Sequence, residues 1–402
     1  MNFYVARQPI LDTERHLVGY ELLFRDGLKN AFPNINPHEA TTRLISGSHF
    51  HLGIANITDG QPAFINFPEM SLLIRVPELL PKEQVVVEIL EDTAPSSEMV
   101  KVCAKLKESG YRIALDDFVY DARWQPLMPY VDIVKIDCLA NDRKRLFQMV
   151  RALRPFQVTL LAEKVETHAD FEYAKTLGFS LFQGYFFAKP EIMKRQVLSP
   201  SQTNILDLLS KLASSDSNLN EIEAVISRDL SLTFKLLRHV NSSAFVKKQD
   251  IASIRQALVY LGEADLRKFI AILAAANLAA DKPNELLRMS VTRARFCELL
   301  ARQHHPKHAA AAFLTGLFSL LDTLLDTPLP LVLEKLPVAE EIRDALIANK
   351  GPLADYVRLM CDYERAVWEG VNALAQRLGV NQSALPEAYL DAVGWSTRFS
   401  ME

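Results

Sequence analysis

One pattern of hydrophobic and polar positions recurs through the first half of the chain. Six short apolar runs each end on a polar residue able to bind a cation or activate water. They are AFIN (63–66), VVVE (85–88), IALDD (113–117), IVKID (133–137), TLLAE (159–163) and LFQ (181–183). Amphipathic segments of helical length lie between some of them, at 96–109 and 141–154, and Gly110 is placed to end the first. Alternation of β-type runs with helices argues for a mainly parallel sheet covered by helices. Strands that fill an interior and end on carboxylate, amide or ammonium groups describe the catalytic rim of a parallel barrel. The start of the chain differs. FYVARQPI (3–10) and LVGYELLF (17–24) flank the polar turn DTERH, which predicts a hairpin and therefore an antiparallel first strand.

After Pro190 the pattern changes. EIMKRQVLSPSQ (191–202) reads as a connector, and helical periodicity then takes over at 203–214, 219–228, 230–241, 252–261, 264–278, 285–303, 308–325, 338–349 and 353–377. The expected architecture is an α/β domain, a TIM-like (β/α)8 barrel with an antiparallel first strand, over 1–192, followed by an all-α domain over 193–402. The tail, 385–402, mixes Pro, Gly and aromatic residues and yields no readable element.

Composition acts mainly by exclusion. A chain of 402 residues suits two domains, and 49% hydrophobic with 23% charged residues is ordinary for a globular protein. The net charge of -4 and the lack of a basic block argue against duplex nucleic acid as a partner. Cys103, Cys138, Cys297 and Cys361 lie far apart with no C-x-x-C, so they read as buried thiols of a reducing compartment, neither a zinc site nor a disulfide frame. The N-terminus lacks the apolar core of a signal peptide, and FIAILAAANLAA (269–280) is too short to span a membrane. A cytoplasmic protein without a membrane span is expected.

The strand ends carry the chemistry. Glu21, Asn66, Glu88, Asp116, Asp117 and Glu163 offer oxygen ligands only, which suits Mg²⁺ or Mn²⁺ and argues against zinc. Adjacent Asp116 and Asp117 can bridge two ions. Two ions roughly 3.5–4 Å apart suit in-line attack of water on a phosphodiester. In such a site Lys135 would hold or polarise the attacking water and Gln183 would orient it. Arg25 has the planar fork suited to phosphate oxygens.

These residues closely resemble the EAL domain family, over about residues 2 to 190. The signature E-A-L-x-R stands here as Glu21-Leu22-Leu23-Phe24-Arg25, E-x-T-E as Glu88-Ile89-Leu90-Glu91, and D-D-F-G as Asp116-Asp117-Phe118-Val119. K-I-D is Lys135-Ile136-Asp137, E-G-V-E is Glu163-Lys164-Val165-Glu166, and Q-G-Y is Gln183-Gly184-Tyr185. The resemblance implies hydrolysis of cyclic di-GMP to linear pGpG, with Glu21, Asn66, Glu88, Asp116, Asp117 and Glu163 as ligands of two Mg²⁺ or Mn²⁺ ions. It implies that Lys135 and Gln183 serve the nucleophilic water and that Arg25 grips phosphate. Glu91 would brace the loop after Asp117, Glu166 would support the metal shell, and Gln8, in the element Arg7-Gln8-Pro9-Ile10, would touch a guanine. A homodimer through the EAL domain is also implied. The loop after the aspartates departs from the family's F-G-T-G-Y-S-S-L and reads Phe118-Val119-Tyr120-Asp121-Ala122-Arg123-Trp124. Where glycine would permit positive φ, β-branched Val119 does not, so glycine at 119 is expected to raise activity or metal affinity.

Residues 203–377 resemble an HDOD domain in SRDLSLTFKLLRHVNSSAF (227–245), SIRQALVYLG (253–262) and GLFSLLDTLL (316–325). The domain has no His-Asp doublet, and in HHPKH (304–308) Pro306 disturbs the helical presentation of the histidines. A regulatory or protein-binding module with an unidentified protein partner is expected. An alternative reading of the whole chain is a catalytically degenerate EAL domain that senses cyclic di-GMP or acts as an interaction scaffold.

Overall fold

A computed structural model describes residues 4–26, 29–30, 54–188, 205–206, 208–210, 212, 254–279, 282–336 and 338–397. The HDOD-like segment 227–245 lies outside the described residues, as do the predicted helices 219–228 and 230–241. The chain forms two compact units, residues 1–187 with 364–366, and residues 188–363 with 367–402.

In the first unit the strands are β1 (Tyr4–Leu11), β2 (Leu17–Asp26), β3 (Lys29–Asn30), β4 (Ala63–Phe67), β5 (Val85–Ile89), β6 (Arg112–Leu115), β7 (Ile133–Asp137), β8 (Thr159–Glu163) and β9 (Leu181–Gln183). Neighbours run β1-β9-β8-β7-β6-β5-β4-β2, and β1 pairs with β2 as well as β9, which closes an eight-stranded barrel. The pairs from β2 to β9 are parallel, whereas β1 is antiparallel to both its neighbours. Short β3 extends the end of β2. The expected antiparallel first strand is thus present.

Complete burial of β4 and β5 explains why AFINF and VVVEI do not alternate: helices cover the outer face while the inner face fills the barrel. Those helices begin on side-chain caps. Ser96 accepts from Met99 N–H before α1 (Ser97–Glu108), Asp142 from Arg145 N–H before α2 (Arg143–Leu153), and Thr167 from Asp170 N–H before α3 (His168–Leu177). Gly110, at φ +91°, turns the chain after α1 into β6.

One apolar layer plugs the barrel: Ile10, Phe64, Val86, Ala114, Ile133 and Leu161, with Leu181 packed against them. Each comes from a different strand, as the layered filling of such barrels requires. Gly19 makes room for it, since a Cβ there would lie 2.8 Å from the Pro62 carbonyl oxygen and 3.0 Å from Phe64 Cε2.

The second unit is helical where described, as its periodicity predicts. Its long helix, Asn284–His304, meets the helix Ala309–Phe318 closely at Gly316, where a Cβ would come within 2.6 Å of the Arg293 carbonyl. Three expectations need correction. The segment 308–325 is interrupted, with separate helices Ala309–Phe318 and Leu321–Leu325. Similarly, 353–377 divides into Gly351–Glu364 and Trp368–Leu378, with Ala366 at φ +56° between them. The tail is helical over Leu385–Ser396, and its buried Tyr389 packs against Tyr363 with the rings tilted and centroids 4.7 Å apart. No helix among the described residues is long and apolar enough to cross a membrane. No disulfide joins the four cysteines; Cys103 and Cys297 are buried, Cys138 and Cys361 half-buried. Burial pushes the Cys103 thiol up to about 12.

Candidate active site

Side chains two residues apart on a strand share a face. Stepping two residues toward the C-terminal end from the apolar layer leads from Phe64 to Asn66, Val86 to Glu88, Ala114 to Asp116, Ile133 to Lys135, Leu161 to Glu163 and Leu181 to Gln183. Because β1 runs the other way, the step from Ile10 is backward, to Gln8. Glu21 lies directly opposite Gln8 in the β1–β2 register. The polar rim is therefore a ring stacked on the apolar layer, and it brings the expected residues together.

Lys135 occupies the centre of that ring. Its fully buried ammonium lies 2.7 Å from Asp116 Oδ1, 2.8 Å from Glu88 Oε1, 3.0 Å from Glu163 Oε1 and 3.4 Å from Glu21 Oε2. Asn66 Nδ2 donates to Glu21 Oε1 at 2.9 Å, and Gln183 Nε2 donates to Glu21 Oε2 at 2.6 Å and to Gln8 Oε1 at 2.9 Å. Glu21 is thereby clamped from both sides. Gly184, at φ +142°, lets the chain turn under the rim: a Cβ there would fall 2.2 Å from the Val165 carbonyl oxygen.

The two aspartates are stapled to neighbouring strands. Asp116 N–H donates to the Ile89 carbonyl at the end of β5, and Phe118 N–H donates to the Lys135 carbonyl in β7, each at 2.9 Å. Asp117 between them takes the left-handed conformation, φ +40°. The altered loop is well packed: buried Phe118 meets Trp124 edge to face at 5.8 Å, and Asp121 caps the turn Ala122–Trp124. Val119 is half exposed and does not have positive φ. The left-handed residue of this turn is Asp117, so glycine at 119 would relieve no strain. Val119→Gly is instead expected to cost about 0.5–1 kcal/mol through added freedom of the unfolded chain, read by denaturant titration of the metal-free protein.

Electrostatics follow from burial. Desolvation raises Glu88 well above the carboxylate range against the pull of Lys135, with Glu21 and Asp116 adding to the rise. Glu163 is pushed up to about 8, again chiefly by burial, opposed by Lys135 and reinforced by Asp116. Lys135 is driven the other way: burial lowers its affinity for the proton, but the four surrounding carboxylates outweigh that and raise it. At the outer edge Lys164 pairs with Asp137 at 2.5 Å and with Asp117 at 3.4 Å. Although burial pushes the Asp137 carboxyl up, Lys164 and the Ala140 and Leu139 N–H groups hold it below the ordinary range.

The donor set fits divalent cations. Asn66 Oδ1, Glu88 Oε2, Glu163 Oε2 and Gln183 Oε1 are buried oxygens without a hydrogen-bond partner, which a cation would satisfy. Six carboxylates (Glu21, Glu88, Asp116, Asp117, Asp137, Glu163) against Lys135 and Lys164 leave four negative charges when all are ionised, and two divalent cations would cancel them. No histidine or thiol is among the donors, so hard cations fit.

Other expected residues fall differently. Glu91 is exposed and, among the described residues, makes no hydrogen bond or ion pair, so the brace expected of it is not formed here. Glu166 is exposed on the turn after β8. Arg25 sits on β2 opposite Tyr4 and Asn30; its side chain lies outside the described residues. Two residues were not singled out from sequence, Lys164 and its partner Asp137. The signal was a lysine in the slot that E-G-V-E gives to glycine.

An eight-stranded barrel with one antiparallel strand and an oxygen-rich rim around a buried lysine, followed by a helical unit, defines the class. A model of the EAL domain matches residues 38–190, and one of the HDOD domain matches residues 198–325. The chain belongs to the family that joins an EAL domain to a following HDOD domain. It is 42% identical over 397 residues to the Cyclic di-GMP phosphodiesterase CdgJ of Vibrio cholerae, covering 98% of this chain and 92% of that protein. To the uncharacterized protein YuxH of Bacillus subtilis it is 34% identical over 403 residues, 98% of each. Among solved structures it is similar to Klebsiella pneumoniae BlrP1 in a calcium/cy-diGMP complex, at 20% identity and a TM-score of 0.37, over 46% of this chain and 55% of that one.

Proposed function

We infer that the barrel hydrolyses cyclic di-GMP to linear pGpG with two Mg²⁺ or Mn²⁺ ions. One observation supports this reading above the rest: Glu21, Glu88, Asp116 and Glu163 converge on the buried ammonium of Lys135. Glu21, Asn66, Glu88, Asp116, Asp117 and Glu163 would hold the ions. The ions would lower the pKa of a water and neutralise charge on the transferring phosphoryl group. Lys135 keeps the carboxylate ring together and orients the water, with Gln183 beside it. Water adds to phosphorus, the bond to the ribose 3′ oxygen breaks, and that oxygen takes a proton. Gln8 and Arg25 bind the nucleotide, and Glu166 supports the ligand shell. The catalytic domain spans 1–192 and dimerises, while 193–402 is a regulatory or interaction domain with its own protein partner.

The CdgJ relative, by its name a phosphodiesterase of this nucleotide, supports the substrate assigned. The packed 118–124 loop favours a competent site over a degenerate sensor. Turnover of cyclic di-GMP with Mn²⁺, compared between the natural chain and Glu21→Ala, tests the reading. A loss on the order of 10³ is expected, because Glu21 is both a ligand and the partner of Asn66 and Gln183. Equal rates would refute it.

A further inference from the structure

Lys164 stands where the E-G-V-E motif has glycine, and its backbone takes a conformation that glycine adopts without strain. Its φ is +52°, a left-handed conformation in which a lysine is strained. Strain of this kind persists where surrounding contacts hold it, and here two carboxylates do. The ammonium lies 2.5 Å from Asp137 Oδ2 and 3.4 Å from Asp117 Oδ1. Asp137 is itself fixed, since its Oδ1 accepts from the N–H groups of Leu139 and Ala140 at 2.7 and 2.8 Å. The lysine is thus anchored through Asp137 to the end of β7. Among the described residues, Lys164 is the one hydrogen-bond or ion-pair partner of the Asp117 carboxylate.

The rim therefore has two cationic centres. Lys135 is internal and binds four carboxylates, none of them Asp117. Lys164 is external and half exposed, and it neutralises the one outer carboxylate of the set. A divalent ion approaching Asp117 meets a like charge already seated there. It must share the carboxylate against that repulsion or displace the ammonium.

We propose that Lys164 is a resident competitor for the outer of the two cations, so that the protein takes up its ions in two separated steps. This rests on the two-cation reading of the rim given above. The inner ion binds first, because Glu88 Oε2 and Glu163 Oε2 are buried oxygens that face it without a hydrogen-bond partner. The outer ion, which depends on Asp117, binds at higher metal concentration because it must move Lys164. Lys164 thereby sets the divalent-ion concentration at which the site is complete.

Calorimetric titration of the full chain with Mn²⁺ tests this without reference to turnover. Two steps are expected for the natural chain. Lys164→Gln should tighten the weaker step by about fivefold, the scale of a half-exposed ion pair, and leave the tighter step unchanged. Lys164→Gly removes the same ammonium and should tighten the same step. Superimposable two-ion isotherms for the natural chain and Lys164→Gln would overturn the proposal while leaving the metal site standing. Failure of the natural chain and both variants to take up Mn²⁺ would remove the two-cation reading itself, and this inference with it.

Discussion

Lys135→Met is expected to abolish turnover, by a factor on the order of 10³ or more, and to destabilise the metal-free barrel by about 3–5 kcal/mol. Both effects have one cause. Lys135 is fully buried at the meeting point of four carboxylates within 3.4 Å. Methionine fills a similar volume, so the loss is electrostatic and not a cavity. Without the ammonium the carboxylates can remain buried only by holding protons, because an uncompensated buried charge is costly. The destabilisation should therefore grow with pH, small near pH 5 and large near pH 9. Saturating Mn²⁺ should restore much of the stability, since divalent ions supply the missing positive charge, but should not restore the rate. Urea titrations at three pH values with and without Mn²⁺, beside turnover assays, separate these outcomes. A variant as stable as the natural chain at pH 9 without metal would show that the carboxylates do not depend on Lys135.

The ring was legible in sequence because a barrel strand writes its chemistry at a fixed place. Apolar bodies ending in Asn66, Glu88, Asp116 and Glu163 mark where interior packing stops, and the two-residue step from the apolar layer puts all of them on one face. The hairpin of β1 and β2 was equally plain, since a five-residue polar turn between apolar runs leaves no room for a crossover. What stayed hidden depends on backbone angles and on pairing across the rim. Sequence alone placed the conformational demand of the DDF turn on Val119, whereas it falls on Asp117. Nor does the K-I-D run announce how its charges divide: in the fold Asp137 takes Lys164 and Lys135 takes the ring. In the helical unit, the break at Ala366 carries no glycine or proline to announce it, so 353–377 read as one helix. The tail helix Leu385–Ser396 was obscured by Pro386 and Gly394; Pro386 lies in its first turn, where proline is tolerated.

Metal-free protein should lose stability as pH rises from about 4.5 to about 8, the reverse of the usual behaviour of carboxylates in ion pairs. Glu163 is raised from 4.5 to about 8 in the folded chain, by burial above all. Between those values the folded state keeps a proton that the unfolded state has released. The unfolded state thus binds fewer protons, and stability must fall with pH across that window, becoming level below and above it. Glu88 shifts in the same direction and adds to the slope. Lys135, raised from an already high value, contributes nothing in this range. A shift of this size in one buried group corresponds to several kcal/mol, on the order of 5. Divalent ions change the result because they bind the ionised carboxylates and expel those protons. With saturating Mn²⁺ the decline between pH 6 and 8 should vanish, and the stabilisation by metal should be larger at pH 8 than at pH 6. Denaturant titrations in chelator and in Mn²⁺ across pH 5 to 8.5 give both curves. Proton release on Mn²⁺ addition can be read independently by calorimetry in buffers of different ionisation enthalpy. A metal-free stability that climbs through this window would mean that the rim carboxylates ionise freely, and the charge argument for two divalent cations would lose its footing.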